Sequence, residues 1–231
     1  MEIRLESLLD GARRAKGTAV VIDVYRAFTT AAVAFSRGAE AIIIVAELER
    51  ALDLKKQGAA AFAFGEVDGF MPDGFDFGNS PYELSTADVE GKTLVQRTSA
   101  GTVGVETAAA NSERTFAASL VTAQATASVI TAEGPELVTI IAMGDAGKFR
   151  TDEDEQCSLY IRGLLQGMTP NREAVGSLVL SGEQSRKFDN PSRPHLYTED
   201  RDMALEVDSV PFAVAVERED GLLVARPLTP S

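Results

Sequence analysis

The chain has 231 residues, 45% of them hydrophobic and 25% charged, the balance of a globular protein able to bury a full core. Lys and Arg number 22 against 35 Asp and Glu, a net charge of −13, which argues against nucleic acid or an anionic membrane as partner because no run of basic residues makes a cationic face. The single cysteine, Cys157, excludes an intrachain disulfide framework, and Glu2, Arg4 and Glu6 exclude a signal-peptide core. No stretch approaches the roughly 20 apolar residues of a membrane span, so a cytoplasmic protein is expected.

Apolar runs and helical patterns alternate along the chain. The run 18–24 (TAVVIDV) reads as a strand, and 27–38 as a helix closed by Gly38. Residues 39–46 form the next strand, 47–58 a charged amphipathic helix closed by Gly58, and 59–66 a third strand. Beyond a glycine-rich loop, 80–89 is a short helix whose Ser80 and Pro81 suit the cap and first positions. Strand 92–98 precedes helix 101–111, strand 114–119 precedes helix 121–134, and strand 136–144 precedes the acidic-opening helix 151–167. Near-continuous Val, Ile and Ala in these strands indicate burial on both faces, as in a largely parallel sheet.

The C-terminal part has a different texture. Residues 185–196 are polar and turn-rich, 198–208 look helical, and 212–228 read as a β-hairpin turning at Asp220-Gly221 that adds antiparallel strands to the same sheet. The expected fold class is α/β: one domain over residues 1–231, three α/β/α layers, a parallel or mixed sheet and a C-terminal hairpin.

In such sheets ligands sit beyond the carboxyl ends of the strands. Those ends carry Asp23, Arg26, Thr29 and Thr30; then Glu66, Asp76, Asn79 and Ser80; then Thr98, Ser99, Gly101 and Thr102; then Ser119; and last Asp145, Glu153 and Asp154. Hydroxyls and exposed N–H groups at helix starts favour anions, and arginine grips phosphate or sulfonate through two bonds. Several carboxylates beside an anion call for a hard divalent cation, normally Mg²⁺. The expected site is therefore phosphate plus Mg²⁺. Asp23, Arg26, Glu66 and Asp76 form the expected catalytic group, and Asp23, Glu153 and Asp154 hold the metal. Thr29, Thr30, Asn79, Ser80, Thr98, Ser99, Gly101, Thr102 and Ser119 contact the substrate, a small phosphorylated acid.

Each piece also has a structural reading. Asp23, Ser80, Thr98 and Ser99 suit helix caps, and Glu153 and Asp154 suit a helix first turn. Cys157 is expected in the core, and His195, the only histidine, in a structural or supporting role. No G-x-x-x-x-G-K-[ST] or G-x-G-x-x-G supports nucleotide binding, and Tyr25 occupies the place of the second aspartate in a D-x-D phosphatase nucleophile segment.

In order along the chain, DVYRAFT (23–29), GE (65–66), GFDFGNSP (74–81), TSAGT (98–102), SL (119–120) and ED (153–154) resemble the 2-phosphosulfolactate phosphatase (ComB-like) family. HL at His195 and DSVPFAV from Asp208 are also similar to it. Tyr25, Ala100 and the AMG segment (142–144) depart from residues that family members often carry. The resemblance implies an Mg²⁺-dependent acid phosphatase that converts 2-phosphosulfolactate to 3-sulfolactate in coenzyme M biosynthesis, with an α/β/α fold and a homodimer. Asp23 or a water molecule serves as nucleophile. The alternatives are a phosphatase of the same type with another substrate, a non-catalytic protein that binds a phosphorylated or sulfonated acid, or an isomerase or lyase that retains the phosphate.

Overall fold

The computed structural model describes residues 1–230. Two elements precede the first expected strand: β1 (Glu2–Ser7) and α1 (Leu8–Arg13). β1 escapes the sequence reading because its charges mask it. It is an edge strand, half exposed, and becomes a strand by pairing along its length with a later one.

The expected series then follows: β2 (Thr18–Ile22), α2 (Ala27–Ser36), β3 (Ala41–Ile44), α3 (Leu48–Lys56), β4 (Phe62–Gly65), α4 (Pro81–Ser85), β5 (Thr93–Arg97) and α5 (Gly101–Ala109). It continues through β6 (Arg114–Ala118), α6 (Ala123–Glu133), β7 (Leu137–Ala142) and α7 (Asp152–Leu165). A second unanticipated helix, α8 (Arg172–Ser181), buries Val175 and Val179 but leaves Leu178 and Leu180 exposed, which blurs its helical period in the sequence. α9 (Thr198–Ala204) leads to the hairpin β8 (Ala213–Glu219) and β9 (Leu222–Leu228). Positive φ at Asp220 (47°) and Gly221 (82°) makes the tight turn between them.

The hairpin joins the same sheet, but in its middle. The strand order is β1-β7-β2-β6-β8-β9-β3-β5-β4. β1, β7, β2 and β6 are mutually parallel, as are β3, β5 and β4. The pairings β6–β8, β8–β9 and β9–β3 are all antiparallel, so the two parallel blocks run in opposite senses.

Opposed blocks in a flat sheet would send their carboxyl ends to opposite edges. Sheet twist of about 20–25° per strand, over the five steps from β2 to β5, leaves these two strands roughly 55–80° from a common direction. The Gln96 side chain at the end of β5 accordingly donates to the Ala27 carbonyl at the start of α2 (2.8 Å). The α5 helix packs against strands of both blocks.

Alternation along the strands divides the core into layers. Val21, Ile42, Ile44 and Val214 pack with Phe28 of α2 and Val105 of α5. Val20, Ile22, Phe116 and Ile140 face α6 and α7 through Ile130, Cys157 and Ile161. Ile43, Val95 and Ala63 face Ala51 and Leu54 of α3. Fully buried Phe28, Phe64 and Phe116 each stabilise by about 1.5–3 kcal/mol through loss of apolar surface to water.

Candidate active site

Where β2 ends, the chain turns sharply into α2, and Asp23 sits at that turn, 7% exposed. Its Oδ1 accepts the Ala27 N–H at 3.0 Å, and the Gly101 N–H at the start of α5 also faces the carboxylate. Burial drives its pKa up to about 7, and the nearby Glu66 charge adds to this. The two N–H groups and Arg26 oppose the rise. Asp23 is thus poised to titrate near neutrality.

Arg26, also buried, donates through Nη1 to Asp200 Oδ2 (2.7 Å) and to the His195 carbonyl (3.2 Å). Both Asp23 and Arg26 line one cavity of about 670 Å³. Thr29 and Thr30 do not. Their hydroxyls donate back to the carbonyls of Val24 (2.9 Å) and Arg26 (2.8 Å), so the expected substrate contacts are replaced by bonds that close the first turn of α2.

The second block of the sheet contributes Glu66. Its carboxylate accepts the Ser99 N–H, the Ser99 hydroxyl (3.0 Å) and the Gly69 N–H (2.6 Å), joining two loops at the cavity wall. Ser99 and Asn79 line the cavity, and Asn79 Oδ1 is buried without a partner. Thr98 and Thr102 lie behind it and cap each other: each N–H donates to the other's Oγ1, at 2.8 and 3.1 Å. Expected as substrate contacts, both spend these groups on each other and neither lines the cavity. Gly101 has its N–H on Asp23 and is replaced among the lining residues by Ala100.

Ser80 takes the cap position the sequence suggests, and neither it nor Asp76 lines the cavity. Ser80 is the N-cap of α4, its Oγ accepting the Glu83 N–H (3.1 Å) and donating to Asp200 (2.6 Å). Asp76 accepts the Ala63 N–H (2.8 Å) and pairs with Lys55 (2.7 Å), outside the cavity. Strand backbone and a lysine take up the carboxylate expected in the catalytic group. Ser119 is buried where a 3₁₀ turn begins, its N–H on Thr122 Oγ1 (3.2 Å), and is not a lining residue.

Glu153 and Asp154 open α7 with different tasks. Asp154 accepts the N–H of Val24 (2.8 Å) on one oxygen and that of Gly144 (2.8 Å) on the other, tying the ends of β2 and β7 together. Burial and the charge of Asp23 raise its pKa. Glu153 lines the cavity with Oε2 buried and unpartnered, and burial together with Asp154 pushes its pKa to about 10. Among the described residues no group of three His, Cys, Asp or Glu side chains is arranged to hold a metal. Of the expected trio, Asp23 and Glu153 line the cavity, while both oxygens of Asp154 are taken by backbone N–H groups. Two cavity carboxylates with one free buried oxygen fit Mg²⁺, which takes one or two protein carboxylates and completes its shell with water and phosphate.

The sequence reading missed a wall built from the C-terminal segment. Lys187, Phe188, Arg193 and His195 line the cavity together with Tyr25 and Phe70. Tyr25 meets Phe188 edge-on (5.0 Å), and its hydroxyl bonds Ser185 (2.8 Å). His195 lies against Phe70 (4.4 Å), its pKa lowered by burial and then by Arg26 and Arg193. Three cations, Arg26, Lys187 and Arg193, therefore line one cavity in a protein of net charge −13, Lys187 paired there with Asp145 (3.3 Å). The spacing of Arg186, Lys187 and Arg193 in a turn-rich stretch was the only available signal. Cys157 is buried in the core, as expected.

A family model described as 2-phosphosulpholactate phosphatase matches residues 5–193. A Thermus thermophilus protein named "Probable 2-phosphosulfolactate phosphatase" is 37% identical over 146 residues, covering 63% of this chain and 59% of that protein. A Deinococcus radiodurans protein of the same name is 33% identical over 153 residues, 66% and 63% of the two chains. One from Bacillus subtilis, again so named, is 31% identical over 174 residues and covers 74% of each. The match to the first two spans less than two thirds of their length.

Proposed function

Since the chain belongs to the 2-phosphosulpholactate phosphatase family, we propose that it is a phosphoric monoester hydrolase acting on 2-phosphosulfolactate or a close phosphorylated acid. The products are 3-sulfolactate and phosphate, a step of the coenzyme M biosynthesis type, with Mg²⁺ as cofactor. One observation carries this reading: Asp23, facing two N–H groups, lines one cavity with Arg26 and Glu153.

Phosphate-ester hydrolysis requires neutralised phosphoryl oxygens and an in-line nucleophile. Arg26 supplies a fixed, always-charged guanidinium for those oxygens. Asp23 either attacks phosphorus itself or orients the attacking water. In the first case the ester P–O bond breaks as an aspartyl phosphate forms, which water then hydrolyses to phosphate. In the second, water displaces the ester oxygen directly. In both, the sulfolactate oxygen leaves and takes up a proton from solvent. Asp23 and Glu153 would hold Mg²⁺, which when bound would supply positive charge for the phosphoryl oxygens. Lys187 and Arg193 offer charge to the remaining anionic groups of the substrate, and Asn79 a neutral polar contact.

The test is phosphate release from 2-phosphosulfolactate and from an aryl phosphate, with Mg²⁺ and with a chelator. Metal-dependent turnover is expected. Tight binding of sulfolactate without phosphate release would instead establish a non-catalytic binding protein. Beryllofluoride attached covalently to Asp23 would identify the carboxylate as nucleophile.

A further inference from the structure

We infer that Asp200, on α9, is a positioning residue for Arg26: its carboxylate holds the guanidinium in the cavity and latches the C-terminal wall to the β2–α2 turn. The family match ends at residue 193, so it says nothing of α9. The inference rests on Arg26 being the phosphate-binding cation.

Asp200 is 0% exposed and saturated with donors. Oδ2 takes Arg26 Nη1 at 2.7 Å, and Oδ1 takes the Ser80 hydroxyl (2.6 Å) and the Tyr82 N–H (3.1 Å). The Tyr82 N–H, in the first turn of α4, therefore holds Oδ1 independently of the Ser80 hydroxyl. The His195 carbonyl, on the wall segment, accepts from the same Arg26 Nη1 (3.2 Å). Every bond Arg26 makes to the protein through its side chain uses that one nitrogen, which leaves the rest of the guanidinium for an anion in the cavity it lines.

A buried ion pair is a poor device for stability alone, because desolvation offsets its attraction. Here it has a positional task. Asp23 and Glu66 line the same cavity, and Arg26 already acts on Asp23 electrostatically. Without Asp200 the guanidinium would turn toward those carboxylates and mask them. With Asp200 the cation and the reactive carboxylate stay apart until an anion bridges them.

The experiment measures kcat and KM for an aryl phosphate, inhibition by inorganic phosphate, melting temperature and the guanidinium ¹⁵N resonances of Arg26. Asp200→Asn is expected to raise KM and the phosphate inhibition constant about 10- to 100-fold, with a smaller fall in kcat. Asp200→Glu, which keeps the charge, recovers part of this. Ser80→Ala leaves the ion pair whole and is expected to lower the melting temperature while phosphate inhibition stays within about threefold. In an Arg26→Gln background, Asp200→Asn should change phosphate inhibition by less than about threefold.

Asp200 is only a structural clamp, and the inference fails, if its effect persists undiminished in Arg26→Gln or if Ser80→Ala reproduces it. Should Asp200→Asn prove insoluble, Asp200→Glu and the double variant Arg26→Gln/Asp200→Asn carry the same comparison. Wild-type protein that neither releases nor binds phosphate would overturn the phosphatase reading instead. The latch is then decided by Arg26 resonances: protected in wild type and lost in the Asp200 variant if it exists, identical in both if it does not.

Discussion

Gly101 stands against Asp23 so closely that a β-carbon at position 101 would lie 2.8 Å from Asp23 Oδ2 and 2.9 Å from the Ala27 β-carbon. The approach is steric, and it is what lets the Gly101 N–H face the carboxylate. Gly101→Ala must push Asp23 aside. The expected result is a fall in kcat/KM of about 100-fold, since misplacement by an ångström costs on that order. Helix propensity offsets part of the overpacking, so the stability loss is expected to stay below about 2 kcal/mol. Steady-state kinetics and a denaturant titration check both; unchanged kinetics would remove Asp23 from the chemistry.

Burial holds the pKa values of Asp23 (about 7), Glu153 (about 10) and Asp154 above the ordinary carboxylate value near 4. The native state therefore binds more protons than the unfolded chain above that value. The stability these three groups contribute to the metal-free protein is present in full below about pH 4 and is lost as pH rises through 7 and beyond. Melting temperature should fall between pH 5 and pH 8. Added Mg²⁺ should raise it more at pH 8 than at pH 5, because the ion competes with those protons. A melting temperature that climbs with pH in the chelated protein would contradict this arrangement.

Glu66 and Asp76 look alike in the sequence and differ in place. Glu66→Gln keeps one acceptor oxygen but sets an NH₂ donor against either the Ser99 or the Gly69 N–H at the cavity wall, and is expected to lower kcat/KM at least about tenfold. Asp76→Asn weakens a partly exposed pair with Lys55 away from the cavity, worth about 0–1 kcal/mol. Its kcat/KM should stay within about threefold of wild type. Equal losses from the two variants would return Asp76 to the catalytic group.

The reciprocal cap between Thr98 and Thr102 holds the β5–α5 junction beneath Ser99 and Gly101. Thr102→Val deletes the hydroxyl at nearly constant volume and should cost about 1–2 kcal/mol, while Thr102→Ser should be close to neutral. Chemical denaturation of the two variants measures the difference. Equal stability would show that the cap contributes nothing.

Local chemistry was legible in the sequence because it depends on neighbours in the chain. The Asp220-Gly221 turn, the Ser80 cap before Pro81, the buried strand ending at Asp23 and the helix beginning just beyond Arg26 are all written in runs of a few residues. Convergence at the strand ends was legible only in part. The cavity gathers Asp23, Arg26, Glu66, Asn79, Ser99 and Glu153, while Asp76, Ser80, Thr29, Thr30, Thr98, Thr102, Ser119 and Asp154 turn to the protein's own backbone and side chains.

A sequence states which polar atoms a segment carries, but not which of them a distant N–H will consume. That decision belongs to the tertiary structure. By inserting β8 and β9 between two opposed parallel blocks, the sheet requires its accumulated twist to bring the ends of β2 and β5 together. Long-range packing likewise sets Asp200 against Arg26, 174 residues apart, and builds a cationic wall from a segment whose composition reads only as turns. Pairing and burial over such separations leave no periodic trace in either partner, which is why sequence alone could name the polar groups at the strand ends but not assemble them.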